Sequence, residues 1–343
     1  MPYALFRPLL FTLDAEQAHH AAFAALDAQA ALGLARLWAG HLPDKPVERL
    51  GLRFPNPIGL AAGLDKNACH LRGLAQLGFG FIEVGTLTPR PQPGNPKPRM
   101  FRLVEHEALI NRLGFNNEGV ESALPRLAAR SVSVPVGVNI GKNATTPNER
   151  AHEDYLSCLR AVYLQADYVT VNVSSPNTKQ LRDLQAPKAM HALVRSIVAE
   201  RDHLQRLHGR RCPIAVKIAP DIAPENLPDV VEAILDGGAD ALISSNTTVS
   251  REGVADHPLA QEPGGLSGAP LTERADRVLT QVVAAVRGRV PVIGVGGIMS
   301  VTDAQRKLDL GADLVQIYTG LIYRGPGFVG ELVRGVEPRP KRA

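Results

Sequence analysis

The chain has 343 residues, 45% of them hydrophobic and 21% charged, with a formal charge of +4. That make-up supports a large folded core and excludes a disordered or low-complexity chain. Acidic residues run throughout and no Lys/Arg block is interleaved with aromatics, which argues against nucleic acid as a partner. The three cysteines, Cys69, Cys158 and Cys212, are far apart, so no zinc or iron–sulfur cradle is visible, no metal is expected, and a reducing compartment is indicated.

Met1 to Phe11 is apolar but interrupted by Pro2, Arg7 and Pro8, and no signal peptide is expected there. Asp14 with Gln17 resembles a capping box, predicting a helix to about Ala31, and a shorter helical piece covers Leu34 to Ala39 with the only tryptophan, Trp38. No run is long and apolar enough to span a bilayer, because Asp14, Glu16, Asp27 and Gln29 intervene. With Phe6, Leu9, Leu10, Phe11, Phe23, Leu26, Leu34, Leu37 and Trp38 beside Arg7 and Arg36, this segment suits either a membrane interface or a helical pair packed on the main domain.

From residue 45 a unit repeats: a short apolar run, then an amphipathic stretch. The runs are Pro57 to Ala61, Phe81 to Val84, Val136 to Ile140, Tyr168 to Val173, Ile214 to Ile218, Ala241 to Ser244, Pro291 to Val295 and Leu314 to Ile317. Helical patterns fill the gaps, from Ala68 to Leu77 through Gly327 to Arg334. Eight strands alternating with eight helices predict an α/β fold, a (β/α)8 TIM barrel with a small N-terminal helical extension; an open doubly wound sheet is the competing architecture. The expected division is an N-terminal helical segment over 1–40, a barrel over 45–336 and a basic tail over 337–343.

In such a barrel, chemistry sits on the loops after the strands. The first strand is followed by the small residues of Ala61-Ala62-Gly63-Leu64-Asp65-Lys66 and the second by Thr86. A long connection then runs from Pro89 to Gly119, as lids and binding loops do. The third strand ends Asn139-Ile140-Gly141-Lys142, the fifth buries Lys217, and the sixth ends Ser244-Ser245-Asn246-Thr247-Thr248. The fourth delivers Asn172, Ser175, Asn177 and Thr178 to the mouth, where an ordinary Ser/Asn/Pro turn is the plain alternative. A Gly264-Gly265-Leu266-Ser267-Gly268 loop, Gly294-Val295-Gly296-Gly297 and Tyr318-Thr319-Gly320 complete the series. Glycine loops after strands seven and eight expose backbone N–H groups to a phosphate, unless they are plain barrel turns. They are not a dinucleotide fingerprint, because the third glycine is missing.

Taken in order, Ala61 to Lys66, Asn111-Arg112-Leu113-Gly114-Phe115-Asn116-Asn117, Asn139 to Lys142, Asn172 to Thr178 and Ala215-Val216-Lys217-Ile218-Ala219-Pro220 resemble the quinone-linked, membrane-associated class 2 dihydroorotate dehydrogenases, over essentially the whole chain. The resemblance implies oxidation of dihydroorotate to orotate in pyrimidine biosynthesis by an FMN enzyme. FMN would be held by Ala62, Gly63, Leu64, Asp65, Lys66, Thr86, Asn139, Asn172, Lys217, Ser245, Gly268, Gly297, Tyr318 and Thr319. Lys217 would stabilise negative charge on the reduced ring. Substrate would meet Lys66, Asn111, Arg112, Leu113, Gly114, Phe115, Asn172, Asn177, Asn246 and Thr247, since side-chain amides can answer its alternating donors and acceptors.

The same resemblance makes Ser175 the base, with a proton route through Thr178 and water beneath Phe115; an unassisted serine is weak at neutral pH and needs one. Cytosolic relatives place cysteine at the base position. His19, Arg102 and Tyr318 would line a tunnel for a membrane quinone, reached through N-terminal helices lying on the bilayer surface at the cytoplasmic side of the cell membrane as a peripheral protein, with no role for NAD. The chain departs from the family where Lys179-Gln180 replaces Pro-Gly. A flavin-free phosphate-sugar lyase or isomerase and a non-catalytic membrane scaffold are the other function classes weighed.

Overall fold

The protein is described by a computed structural model covering residues 3–340. Met1 and Pro2, and the tail residues Lys341, Arg342 and Ala343, lie outside the described residues. Three helices come first: α1 (Tyr3–Thr12), α2 (Ala15–Ala31) and α3 (Arg36–Ala39). The Asp14 carboxylate caps α2 by accepting the Glu16 and Gln17 amides at 2.9 and 3.3 Å. Helix α1 was not legible in the sequence, because Pro8 sits inside it and removes one rung of its hydrogen-bond ladder.

A hairpin of β1 (Val47–Arg49) and β2 (Leu52–Phe54) leads into the barrel. Its strands are β3 (Ile58–Leu60), β4 (Phe81–Leu87), β7 (Val136–Ile140), β8 (Tyr168–Asn172), β9 (Ile214–Ile218), β10 (Ala241–Ser244), β12 (Val292–Val295) and β13 (Leu314–Ile317). All neighbours pair in parallel, and β13 closes the ring on β3 through Val315 with Ile58. These strands coincide with the eight apolar runs. Strand β4 runs three residues further than its apolar run, with a register shift against β7 between Val84 and Leu87.

Around the ring lie α4 (Leu71–Gln76), α5 (Val120–Ala128), α6 (Ala151–Val162), α7 (Pro187–His208), α8 (Leu227–Asp236), α9 (Thr272–Val286), α10 (Val301–Asp309), α11 (Thr319–Arg324) and α12 (Gly327–Gly335). The main core lies between strands and helices, where alternate strand residues such as Ile82, Val84, Val169 and Val171 are fully buried. The other strand face fills the ring. At its lower end Phe54 meets Phe81 edge-on at 5.3 Å, and Tyr168 completes the plug. A Cβ at Gly59 would overlap the Phe81 ring and one at Gly137 the Tyr168 ring, so two aromatics are accommodated by two glycines.

The long connection read as a loop contains β5 (Met100–Leu103) and β6 (Ala108–Asn111), and the Gly265 loop is a strand, β11 (Gly265–Gly268). They form one antiparallel sheet in the order β11-β6-β5, pairing Gly265 with Asn111. Strands of only four residues leave little periodicity to read, and although β5 and β6 pair locally, β11 finds its partner about 150 positions away. The sheet stands at the barrel mouth, and Arg99 in the segment before β5 clasps Glu16 of α2 at 2.9 Å.

Candidate active site

The C-terminal ends of the barrel strands and this small sheet enclose a cavity with an empty volume of about 990 Å³, open mouth included. Nineteen of the residues singled out above line it: Ala62, Gly63, Lys66, Thr86, Asn111, Leu113, Gly114, Phe115, Asn172, Ser175, Asn177, Lys217, Ser245, Asn246, Thr247, Gly268, Gly297, Tyr318 and Thr319. The period of two along a strand explains why. Asn172 and Lys217 sit on inward positions beside each other in the β8–β9 register.

Beneath the cavity lies a polar layer. Thr86 donates to Asn139 Oδ1 at 2.6 Å, Asn172 Nδ2 donates to the same oxygen at 3.2 Å, and Asn139 Nδ2 donates to Glu83 Oε1 at 2.8 Å. Glu83 also accepts the Tyr168 phenol at 3.0 Å and Gln316 Nε2 at 2.9 Å. Burial pulls the Lys217 ammonium down from its ordinary range, opposed by the charge of Glu83. Sequence reasoning passed over Glu83, although its signal is that of Lys217: a charge inside an otherwise apolar strand.

On the β8 loop, Ser175 is buried and its Oγ accepts the Asn177 amide at 3.2 Å. Asn177 Nδ2 donates to Asn111 Oδ1 at 3.2 Å, and Asn246 Nδ2 donates to Ser174 Oγ at 2.9 Å. Phe115 covers one side with a left-handed backbone, φ 54°. Thr178, three residues on from Ser175, is buried and does not line the cavity, and its Oγ1 has no partner among the described residues. Desolvation lowers the Lys66 amine to about 8.

Four other expected residues do not line this cavity. Asn139 lies in the layer beneath it. Asp65 turns away, accepting the Cys69 and His70 amides at 2.9 and 2.8 Å. Arg112 points outward over Phe101 and pairs with Glu262 at 2.6 Å. Leu64 lines a second, mainly apolar cavity between the N-terminal helices and the barrel, with an empty volume of about 1590 Å³, open mouth included, together with His19 and Arg102. Tyr318 lines both cavities. Burial lowers His19 to about 3, so its ring is neutral. Arg102 stacks on Phe11 at 4.8 Å and donates to the Leu10 and Leu13 carbonyls, fastening α1.

A closed parallel barrel with a deep polar mouth, a buried lysine and glycine turns after its last strands is an enzyme of the kind that holds a flat, phosphate-bearing cofactor. The family model described as Dihydroorotate dehydrogenase matches residues 46–339. Relatives named dihydroorotate dehydrogenase (quinone) include one from Alkalilimnicola ehrlichii, 56% identical over 98% of this chain and 99% of its own length, and one from Chromobacterium violaceum, 53% identical over 97% of each. A ligand-free structure of the enzyme from Eimeria tenella is 37% identical, with a TM-score of 0.83 over 92% of each chain. This chain belongs to the dihydroorotate dehydrogenase family, in its quinone-dependent class.

The residues present fit FMN. Lys217, only 4% exposed, and Gln316 both line the cavity; no hydrogen bond of the Lys217 ammonium is made among the described residues, and Gln316 Oε1 is buried without a partner among them. Gly296, Gly297, Gly320 and Gly268 leave backbone at the cavity surface beside the start of α11, where an anion is favoured.

Proposed function

We propose that the mouth cavity is where this chain, an FMN-dependent dihydroorotate dehydrogenase of the quinone-linked class, oxidises dihydroorotate to orotate, with Ser175 as base. The observation that carries the assignment is the convergence of Ser175, the amides of Asn111, Asn172, Asn177 and Asn246, and two lysines on one cavity.

When bound, FMN supplies the two-electron acceptor for the substrate and passes the electrons on to quinone. The protein's part begins with binding. The Asn177 to Asn111 bond leaves an Asn111 N–H and an Asn177 carbonyl lone pair free for the pyrimidine edge, and Lys66 is the cation for its carboxylate. Thr247 and the backbone of Leu113 and Gly114 complete the wall, while Arg112 supports it from outside through Glu262. Lys217 offers positive charge where negative charge develops, and the dry surroundings strengthen its effect.

Ser175 Oγ takes the C5 proton. The Asn177 backbone amide donates to that oxygen and fixes its position, and the hydroxyl's own proton must leave as the C5 proton arrives. The proton leaves through Thr178, whose unpartnered buried hydroxyl supports such a role, under the cover of Phe115. Asn139, Thr86, Ser245 and Gly268 shape the flavin side, and Leu64 and Asp65 hold the Ala62–Lys66 loop from behind.

Electrons depart toward the apolar cavity, with Tyr318 as the shared wall and His19 and Arg102 along the way. Among the described residues no helix is long and apolar enough to cross a membrane. The exposed side chains of Leu5, Leu9, Leu32, Leu34 and Leu37 support binding of α1–α3 to a bilayer surface, as a peripheral protein on its cytoplasmic side. The division into a quinone-handling segment over 1–40 and a catalytic barrel over 45–336 follows from these roles.

The test is anaerobic mixing of the holoenzyme with dihydroorotate while the flavin absorbance is followed. The native protein should bleach rapidly and Ser175→Ala at least about 100-fold more slowly. An equal rate for the two would rule out Ser175 as base.

A further inference from the structure

The loops that follow β8, β9 and β10 meet at one guanidinium. Arg182 donates from Nε to the Ser174 carbonyl at 2.9 Å, from Nη1 to Asp221 Oδ2 at 2.7 Å and from Nη2 to the Thr247 carbonyl at 3.0 Å. Asp221 in turn accepts the Val249 amide at 3.1 Å and the Thr248 hydroxyl. Neither Arg182 nor Asp221 lines the mouth cavity, yet of the two carbonyls held by Arg182 one belongs to Thr247, which lines it, and the other to the residue before Ser175, which lines it too. Ser174 immediately precedes Ser175, and Thr247 follows Asn246.

The chain between these anchors is also tied by Asn95, which donates to the Asn177 carbonyl at 3.2 Å, by Asn148, which donates to the Gln180 carbonyl at 2.7 Å, and by the buried Leu181, but none of these reaches the loop after β10. Lys179 and Gln180 are exposed, Gln180 has a left-handed backbone at φ 55°, and Arg182 follows at the start of the short turn Leu181–Gln185. Its side chain therefore reaches back across its own loop to residue 174 and across to the next loop but one. A planar fork can satisfy three acceptors in fixed directions; an ammonium on a flexible stem cannot hold the same three at once.

We propose that Arg182, braced by Asp221, is a positioning residue that latches the Ser175 loop to the loop carrying Asn246 and Thr247. The latch sets the distance between the base and the amides that orient the substrate. It rests on the reading of Ser175 as base. A displacement of about 1 Å in such a constellation is enough to cost about 100-fold in rate.

The experiment uses FMN holoenzymes of Arg182→Met, Arg182→Lys and Asp221→Asn, with Ser175→Ala as control. Three quantities are measured: kcat and KM for dihydroorotate, the deuterium isotope effect with substrate labelled at C5, and the rate of trypsin cleavage after Lys179, identified by fragment mass. Arg182→Met should lower kcat by about 100-fold with a smaller change in KM. It should also raise the C5 isotope effect, because proton removal by a displaced hydroxyl becomes the slow step, and speed cleavage after Lys179 by about tenfold. Arg182→Lys and Asp221→Asn should fall between this variant and the native enzyme.

Simple loss of stability would lower the active fraction and leave the isotope effect unchanged, so a fall in kcat with an unaltered isotope effect overturns the proposal. So does an Arg182→Met enzyme within about twofold of native in both kcat and cleavage rate. Should Arg182→Met fail to fold, Asp221→Asn with native kcat and cleavage overturns it equally. The two readings separate cleanly: inactive Ser175→Ala beside native-like latch variants sinks the latch alone. Fully active Ser175→Ala sinks the base, and the positioning proposal built on it falls with it.

Discussion

Glu83 accepts the Tyr168 phenol at 3.0 Å at the centre of the barrel, both residues being fully buried. The pair marks the level at which the ring changes from apolar filling below, with Phe54 and Phe81, to polar equipment above, with Asn139, Asn172 and Lys217. Removing the carboxylate with Glu83→Ala strands the Tyr168 hydroxyl, Asn139 Nδ2 and Gln316 Nε2 together. At about 1–3 kcal/mol for each buried group left unpaired, a loss of at least about 3 kcal/mol in urea unfolding is expected. A loss below about 1 kcal/mol would mean that the three donors find other acceptors.

Gly297 has φ 70°, and a Cβ there would overlap the Thr272 backbone, whose hydroxyl donates to the Gly297 carbonyl at 2.8 Å. Gly297→Ala must therefore push the turn after β12 into the cavity. FMN binding to the apoprotein, followed by quenching of flavin fluorescence, should weaken by at least about tenfold. Gly33→Ala is the control, since Gly33 has φ 72° but no neighbour within 4 Å of a Cβ; unchanged flavin binding is expected there. Equal effects from both would assign the loss to backbone strain alone.

The Lys66 amine, lowered to about 8 chiefly by desolvation, is charged below that pH and neutral above it. If it faces the substrate carboxylate, orotate affinity should hold steady up to about pH 8 and then fall about tenfold per unit. Lys66→Met should bind weakly with no such inflection. In the ligand-free protein the unfolded chain keeps this proton up to 10.5, so from about 8 to 10.5 the unfolded state binds more protons and this group's contribution to stability rises with pH. Titration of orotate binding in the native enzyme with no break near pH 8 would remove Lys66 from the carboxylate site.

Leu9 and Leu37 are 70% and 77% exposed on the N-terminal helices. Changing both to Gln removes two large apolar side chains from the surface expected to enter a bilayer, each worth about 1.5–3 kcal/mol when fully buried. Sedimentation with neutral phosphatidylcholine vesicles should drop by at least about tenfold, while flavin content and dihydroorotate-driven bleaching stay native. Undiminished sedimentation would move the bilayer contact to another face.

The eight barrel strands were legible because each is a short apolar run and each is followed by a polar or glycine-bearing end. The same pattern places Asn172, Ser175, Lys217, Asn246 and Gly297 near one another, since strands in a parallel ring deliver their ends to one mouth. Helix α2 announced itself through Asp14, whereas α1 was hidden by Pro8. What stayed dark was everything whose partner lies far along the chain. Strands β6 and β11 pair across about 150 residues, Gln316 meets Glu83 across 233, and Arg182 reaches Thr247 across 65.

Sequence alone thus determined the repeating unit, its count and the chemical kinds of residue at the strand ends, because alternation and punctuation act within a few residues of each other. Only the closed tertiary structure decided which of those residues share a cavity, that Arg112 and Asp65 face away from it, and that Tyr318 is the wall between a polar chamber and an apolar one. Those outcomes depend on side chains meeting across the ring, and such contacts acquire their energy only once β13 has closed on β3 and water has left.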